Sequence, residues 1–391
     1  MIITRPPMGW NSWNTFGEDI NEKVVMETAD FIVESGLKDC GYEYVIIDDC
    51  WSLRERNEKG EIVPDPEKFP HGMKYVSDYV HSKGLKFGMY SCAGTLTCAR
   101  YPGSFDHEFT DARCFAEWGV DYLKYDFCFH PHSTFGHFLY KRMSLALANC
   151  GRDIVFAACS WGDENTKAWI KETGAHTWRS TGDIFDTWES IKQLAQDQLK
   201  VPEYNGNGCY NDMDMLVVGM KGEGNVGFKG CSVEEYKTHF AFWAMMGSPL
   251  IIGCDLRKAD KDAMDILKNK MLIEIDQDEA YRQPFYINGG RYMNKSRTAN
   301  EPLYEYYPVD EPIMVRFLAN GDLAIGAFNF RDEKSRLFAM LDGVGLGEST
   351  GKTLELTSVW TGEKKIVTNG TILIDLEPHC CEVYRARVID K

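Results

Sequence analysis

Through the first two thirds of the chain, the spacing of hydrophobic positions switches repeatedly between two periods. Short apolar runs of strand length alternate with longer segments in which apolar residues recur every three or four positions. The pattern predicts a short strand over 7–10 and an amphipathic helix over 22–37 that starts near Asn21. A strand over 42–51 and a helix over 72–83, ended by Gly84, come next. Strands over 85–91 and 121–128 are each followed by a helix, over 108–118 and 136–150. Strands over 154–161 and 176–183 precede helices near 164–172 and over 186–199. The seventh strand, 208–216, is the weakest, with a helix over 232–245. The eighth, 249–255, leads into a helix over 260–269. Eight βα units within about 270 residues predict an α/β chain closed as a TIM (β/α)8 barrel. A doubly wound sheet is the alternative, but no GxGxxG follows the first strand and no phosphate loop is present.

After about Gln283 the texture changes. Runs such as PIMVRFL, LAIGAFNF, LELTSVW and CEVYRA are separated by Asn-Gly, Asp-Gly and Thr-Gly turns. This spacing predicts an antiparallel β-sandwich. The expected organisation is a catalytic barrel over 1–283 and a C-terminal sandwich over 284–391, which packs on the barrel without supplying the chemistry.

The segment DYLKYDFC (121–128) departs from simple patterning. Alternation puts Tyr122, Lys124 and Asp126 on one face and Leu123, Tyr125 and Phe127 on the other. Charges on the inner face of a barrel strand are costly unless they are needed there. At the C-terminal end of a strand that face is where barrels place catalytic groups. Asp126 is therefore a candidate catalytic carboxylate, with Lys124 holding it ionised; a buried ion pair without chemistry is the alternative. Other polar and aromatic residues gather at strand ends: Trp10, Asp48, Asp49, Trp51, Tyr90, Ser160, Trp161, Arg179, Asp183, Asp212 and Asp214. A ring of carboxylates, one Lys, one Arg and several aromatics suits a sugar, because carboxylates accept hydroxyl hydrogen bonds and Trp covers the apolar face of a pyranose. Asp126 and Asp183 are the candidate catalytic pair; a structural Arg179–Asp183 pair is the competing reading.

The formal charge of −16 argues against nucleic acid or an anionic membrane as a partner and is compatible with an uncharged substrate. No apolar segment reaches the length of a membrane span. The thirteen cysteines are scattered and form no CxxC pair, which suggests a reducing, cytoplasmic setting with at most one or two bridges. No HExxH spacing occurs, and no cofactor or metal is expected. His130, His132 and His137 have partial zinc spacing but no completing ligand, and are read as a rim of the cleft. Asp212 and Asp214 are read as substrate contacts, and KTHFAFWAMM (237–246) as core packing.

The motifs MGWNSWN, IDDCW, GMYSCAG, TCARYPGSF, WGVDYLKYDFC, WRSTGDI, NDMDML, DLRKA and IEIDQD together resemble glycoside hydrolase family 27, which holds α-galactosidases and α-N-acetylgalactosaminidases. The resemblance continues to LEPHCCEVYRA near the C-terminus and implies a retaining mechanism. Asp126 matches the nucleophile and Asp183 the acid/base, with carboxyl groups roughly 5–5.5 Å apart. Asp48 and Asp49 match the carboxylates that bind the 4- and 6-hydroxyls of galactose. Lys124 and Arg179 match hydroxyl donors, Trp10 and Trp161 pocket walls, and Tyr90, Asp214 and Met215 cavity lining. Cys98 and Cys128 match an active-site disulfide pair, whose formation is left open. The cysteine that usually pairs with the one in DDCW is missing, so Cys50 has no expected partner. This points to a cytoplasmic, bacterial enzyme. Ser160 matches the position whose small residue makes room for a 2-acetamido group, so an α-N-acetylgalactosaminidase or dual-specificity enzyme stands beside the α-galactosidase reading. A β-L-arabinopyranosidase is disfavoured by the short carboxylate of Asp49, and a barrel that only binds galactosides by the presence of both carboxylates. Aglycone, linkage and oligomeric state are left open, a homo-oligomer among the options.

Overall fold

The computed structural model describes residues 2–199, 206, 208–287 and 310–391. Eight parallel strands are paired in the order β7-β6-β5-β4-β3-β2-β1-β8. They are β1 (Met8–Asn11), β2 (Tyr44–Ile46), β3 (Lys86–Cys92), β4 (Tyr122–Asp126), β5 (Val155–Cys159), β6 (Thr177–Arg179), β7 (Tyr210–Asp212) and β8 (Leu250–Ile252). A parallel bridge between Leu216 and Ile252 joins the stretch after β7 to β8 and closes the barrel.

The helices are α1 (Trp13–Phe16), α2 (Glu22–Glu34), α3 (Gly72–Ser82), α4 (Glu108–Trp118), α5 (Gly136–Ala148), α6 (Ile170–Thr173), α7 (Trp188–Gln198), α8 (Val233–Met246), α9 (Lys261–Leu267) and α10 (Lys270–Asp276). Side-chain caps mark several starts. Asn21 accepts from Val24 N, Thr187 from Ser190 N, and Ser232 with Glu235 forms a capping box. The expected helix near 164–172 is the exception. A 3-10 stretch over Asp163–Ala168 stands there, with Glu164 and Asn165 left-handed, and only α6 is helical. The Thr166 hydroxyl bonds back to Asp163 O at 2.6 Å, a local alternative to helical pairing. No helix among the described residues is long and apolar enough to cross a membrane.

Alternation along the strands sorts the core into two layers. Tyr44, Ile46, Tyr122, Val155, Ala157, Tyr210 and Ile251 fill the barrel interior. Val45, Leu123, Tyr125, Phe156, Ala158 and Trp178 face outward into the larger core beneath the helices. α8 is buried on nearly every side, from Thr238 to Met246, because it is covered by the barrel on one side and the C-terminal strands on the other.

Those strands are β9 (Phe285–Tyr286), β10 (Ile313–Phe317), β11 (Leu323–Phe328), β12 (Ser335–Met340), β13 (Lys352–Ser358), β14 (Lys364–Ile366), β15 (Thr371–Leu376) and β16 (Cys381–Asp390). They form an antiparallel sheet, β14-β13-β16-β11-β10-β9, and a β12-β15 pair. Val315, Ile325 and Leu356 of the sheet pack with Leu337, Ile372 and Ile374 of the pair, giving a two-layer sandwich. The opposite face of the sheet, with Met314, Ala324, Phe328 and Val383, joins the core beneath the barrel helices. The two parts therefore share one continuous apolar interface.

Candidate active site

Asp48, Asp49, Tyr90, Cys98, Lys124, Asp126, Trp161, Arg179, Asp183, Asp214 and Met215 line a single cleft of about 290 Å³. It opens at the C-terminal ends of the barrel strands. The backbone there is strained: Cys50, Phe129, Trp161 and Asp214, which follow β2, β4, β5 and β7, all have left-handed φ angles. Such residues cost about 1–3 kcal/mol each and persist only where the surroundings hold them, as at functional sites.

Asp126 ends β4 and is 6% exposed. Its carboxylate accepts from the Tyr90 hydroxyl at 3.1 Å and from Phe127 N at 3.0 Å. Burial pushes it up to about 7, with Lys124 opposing and Asp183 and Asp48 adding to the rise. Lys124 favours the ionised form of Asp126, as expected, but burial is the larger effect. The Lys124 ammonium is committed to Asp48 Oδ2 at 2.8 Å, so its pull on Asp126 does not overcome desolvation. Asp48 also accepts from Asn11 Nδ2 at 2.7 Å, which fixes the pair on the inner faces of β1 and β4. Asp49 accepts from Cys50 N at 2.7 Å and Ala99 N at 2.9 Å, and burial raises its carboxyl.

Arg179, at the end of β6, is nearly fully buried. It pairs with Asp214 at 2.9 Å and Asp183 at 3.1 Å, and donates to Gly182 O at 2.8 Å. The Arg179–Asp183 pair therefore exists, but inside the cleft rather than as an isolated structural contact. Partial burial raises Asp183, yet Arg179 and Lys124 outweigh it and hold the carboxyl below the ordinary range. Its side chain remains 61% exposed to the cleft. Burial raises Asp212, beneath the cleft, to about 6.

Cys98 and Cys128 form a disulfide with Cα atoms 5.2 Å apart. It ties the loops after β3 and β4, and Cys98 Sγ lies 3.4 Å from the Tyr90 hydroxyl. The other eleven cysteines are free thiols, including Cys50, which burial pushes up to about 12.

Five candidate residues do not line the cleft: Trp10, Trp51, Cys128, Ser160 and Asp212, the last of which was expected to contact substrate. Trp51 is buried in the core and donates to Tyr90 O at 2.9 Å. Trp10 is 0% exposed and sits in the core between barrel and helices, donating to Cys254 O at 2.9 Å. Strand parity is the reason: Asn11, not Trp10, faces inward on β1. Ser160 is also fully buried, its hydroxyl 2.6 Å from Thr166 Oγ1. It follows Cys159, whose side chain faces the barrel interior, and so points away. The cleft also includes Trp13, Asn14, Ile184, Phe185, Asn225 and Val226, which sequence reasoning did not single out. Trp13 is the second Trp of GWNSW, and Phe185 stands two residues after Asp183, so both could have been found from adjacent motifs. Asn225 and Val226 come from a glycine-rich loop that carries no such signal.

Among the described residues, the group of His, Cys, Asp or Glu atoms close enough to hold a metal is Cys98, Asp126 and Cys128. Its two sulfurs are bonded to each other, which leaves no thiolate pair to act as ligands. His130 instead stacks on Phe127 at 3.8 Å, and His137 lies against Phe138 and Trp169.

The chain is similar to known proteins along nearly its whole length. The family model Melibiase_2, described as Alpha galactosidase A, matches residues 5–278. An alpha-galactosidase of Cyamopsis tetragonoloba is 39% identical over 380 residues, covering 97% of this chain and 85% of the relative. The crystal structure of alpha-galactosidase I from Mortierella vinacea superposes with a TM-score of 0.87 at 30% identity, covering 98% of this chain and 96% of that one. A Saccharomyces cerevisiae α-galactosidase solved with raffinose superposes with a TM-score of 0.85 at 27% identity, covering 98% of each chain.

Proposed function

The chain belongs to the Alpha galactosidase A family of glycoside hydrolases, family 27, and on that premise we propose that it releases terminal α-linked D-galactose from galacto-oligosaccharides or glycoconjugates by retaining double displacement. The carrying observation is that Asp126 and Asp183 open onto one cleft with Lys124 and Arg179 beside them. In this reading Asp126 attacks the anomeric carbon as Asp183 protonates the departing glycosidic oxygen. The bond to the aglycone breaks and a galactosyl ester forms on Asp126. Asp183 then takes a proton from water, which attacks the same carbon and frees galactose with its α configuration retained. Asp48, Asp49 and Lys124 supply hydroxyl contacts, and Trp161 one wall.

The mechanism needs the proton on Asp183 at the start, whereas the open cleft favours it on Asp126. Substrate binding supplies the change. Asp183 is exposed to water in the free enzyme, so a sugar closing over it removes solvation from its charged form and raises its carboxyl.

Ser160 is buried and does not line the cleft, which weighs against its small side chain as a determinant for a 2-acetamido group and favours the galactoside reading. Initial rates on nitrophenyl α-galactoside and nitrophenyl α-N-acetylgalactosaminide, with Asp126→Asn as control, test it. The expected outcome is a galactoside preference of about tenfold or more in kcat/KM, unaffected by a chelator. A preference for the acetylated sugar would overturn the substrate assignment. Six buried free thiols support residence in a reducing cytoplasm, and the Cys98–Cys128 bridge counts against it.

A further inference from the structure

Phe185 and Phe228 are 42% and 65% exposed, yet their rings meet edge to face with centroids 5.4 Å apart and planes at 74°. Exposed phenylalanines on mobile loops would carry little meaning. These two are held firmly. Asp186, next to Phe185, is 0% exposed and accepts from Gly222 N at 2.7 Å and the Tyr236 hydroxyl at 2.9 Å. Its backbone accepts from Gly230 N at 3.1 Å and donates to Val226 O at 3.1 Å, with a parallel bridge to Gly227. The loop that carries Phe228 is thus stapled to the segment that carries Phe185. On the other side, Ile184 N donates to Asp214 Oδ2 at 2.7 Å and Phe185 N to Ser190 Oγ at 2.9 Å. A buried charge and six hydrogen bonds hold two water-exposed rings in place at the mouth of the cleft.

Their position gives the pair a use. Phe185 lines the cleft two residues beyond Asp183. An acid that protonates the glycosidic oxygen must face the leaving group, so whatever is attached through that oxygen emerges on the Asp183 side. The galactose end of the cleft is lined by carboxylates and cations, whereas on this side the two exposed phenylalanine rings add an aromatic surface, with Asn225 of the Phe228 loop beside it. Such a surface covers the C–H face of a pyranose and is indifferent to the pattern of its hydroxyls. Resting on the α-galactosidase reading above, we propose that Phe185 and Phe228 form an aglycone platform that receives the pyranose ring to which galactose is linked. The enzyme would then favour sugar-linked galactosides over galactosides with a small leaving group.

The test compares kcat/KM for a galactosyl-α-1,6-glucose disaccharide with that for α-galactosyl fluoride, whose leaving group has no ring. Both are measured for the wild type, Phe185→Ala, Phe228→Ala and Phe185→Tyr. The disaccharide-to-fluoride ratio should fall about tenfold in each alanine variant and stay near wild type in the tyrosine variant. A ratio cancels any difference in the fraction of folded enzyme. Ratios within about twofold of wild type in both alanine variants, or equal losses on both substrates, would overturn the platform. So would an unchanged ratio accompanied by loss of a dimer in sedimentation, which would assign the pair to contact with a second copy. A wild type that cleaves neither compound would instead sink the galactosidase reading, and the platform with it.

Discussion

Replacing Lys124 with Met removes one cation and keeps most of the side-chain volume. The ammonium is 2.8 Å from Asp48 Oδ2, and the two side chains are 16% and 3% exposed. Removing one partner of a buried pair strands the other charge and typically costs 3–5 kcal/mol; the residual exposure of Lys124 puts the expected loss at about 3 kcal/mol. Asn11 Nδ2 and Asp49 N still donate to Asp48, which limits but does not cancel this. The same cation opposes the rise of Asp126, which burial has already pushed up to about 7. Without it the carboxyl should climb by about one further unit. At pH 7 the ionised fraction would then fall about fivefold, and the acid limb of kcat/KM should move up by the same unit. Urea melts and a pH–rate profile read both effects. A double variant, Lys124→Met with Asp48→Asn, should regain most of the lost stability, because no buried charge is left unpaired. An unmoved acid limb, or a single variant as stable as the double, would refute the reasoning.

The other predictions concern Asp126, the proposed nucleophile, and the disulfide. Between pH 4 and 7 the folded state holds a proton on Asp126 that the unfolded chain has released, because burial raises this carboxyl from 3.8 to about 7. Its contribution to stability therefore falls as pH rises through that window, and the penalty is complete above it. Asp126→Asn should melt a few degrees above wild type at pH 8 and level with it near pH 4, as calorimetry would show; a constant difference would contradict the assignment. Cys98→Ser opens a bridge spanning 30 residues and should cost about 3 kcal/mol. It should also lower kcat, because the Tyr90 hydroxyl lies between Cys98 and Asp126. Full reduction of the wild type, checked by thiol count, should reproduce both losses, and unchanged kcat after reduction would disprove the coupling.

Most of the barrel was legible because its strands and helices impose different periods, and that difference survives even where an element is short. β4 shows how far this goes: alternation alone places Lys124 inside and Leu123, Tyr125 and Phe127 outside, as found. Trp10 and Ser160 show where it stops. Each lies at a strand end, where one position decides between cleft and helix layer, and sequence patterning does not locate that end to a single residue. The 163–168 segment was misread as helix because hydrophobic spacing does not report that Thr166 closes a turn on Asp163. Asn225 and Val226 reach the cleft, and Phe228 meets Phe185, through a loop shaped by Gly219, Gly222, Gly224 and Gly230 at positive φ. Such a loop has no period to read.

The most direct test of the central claim is to trap the covalent intermediate. Incubation with 5-fluoro-α-galactosyl fluoride, followed by peptide mass mapping, should find one fluorogalactosyl group per chain, on the peptide that carries Asp126, with loss of activity in step with labelling. A label on Asp183, or inactivation without any covalent adduct, would contradict the account.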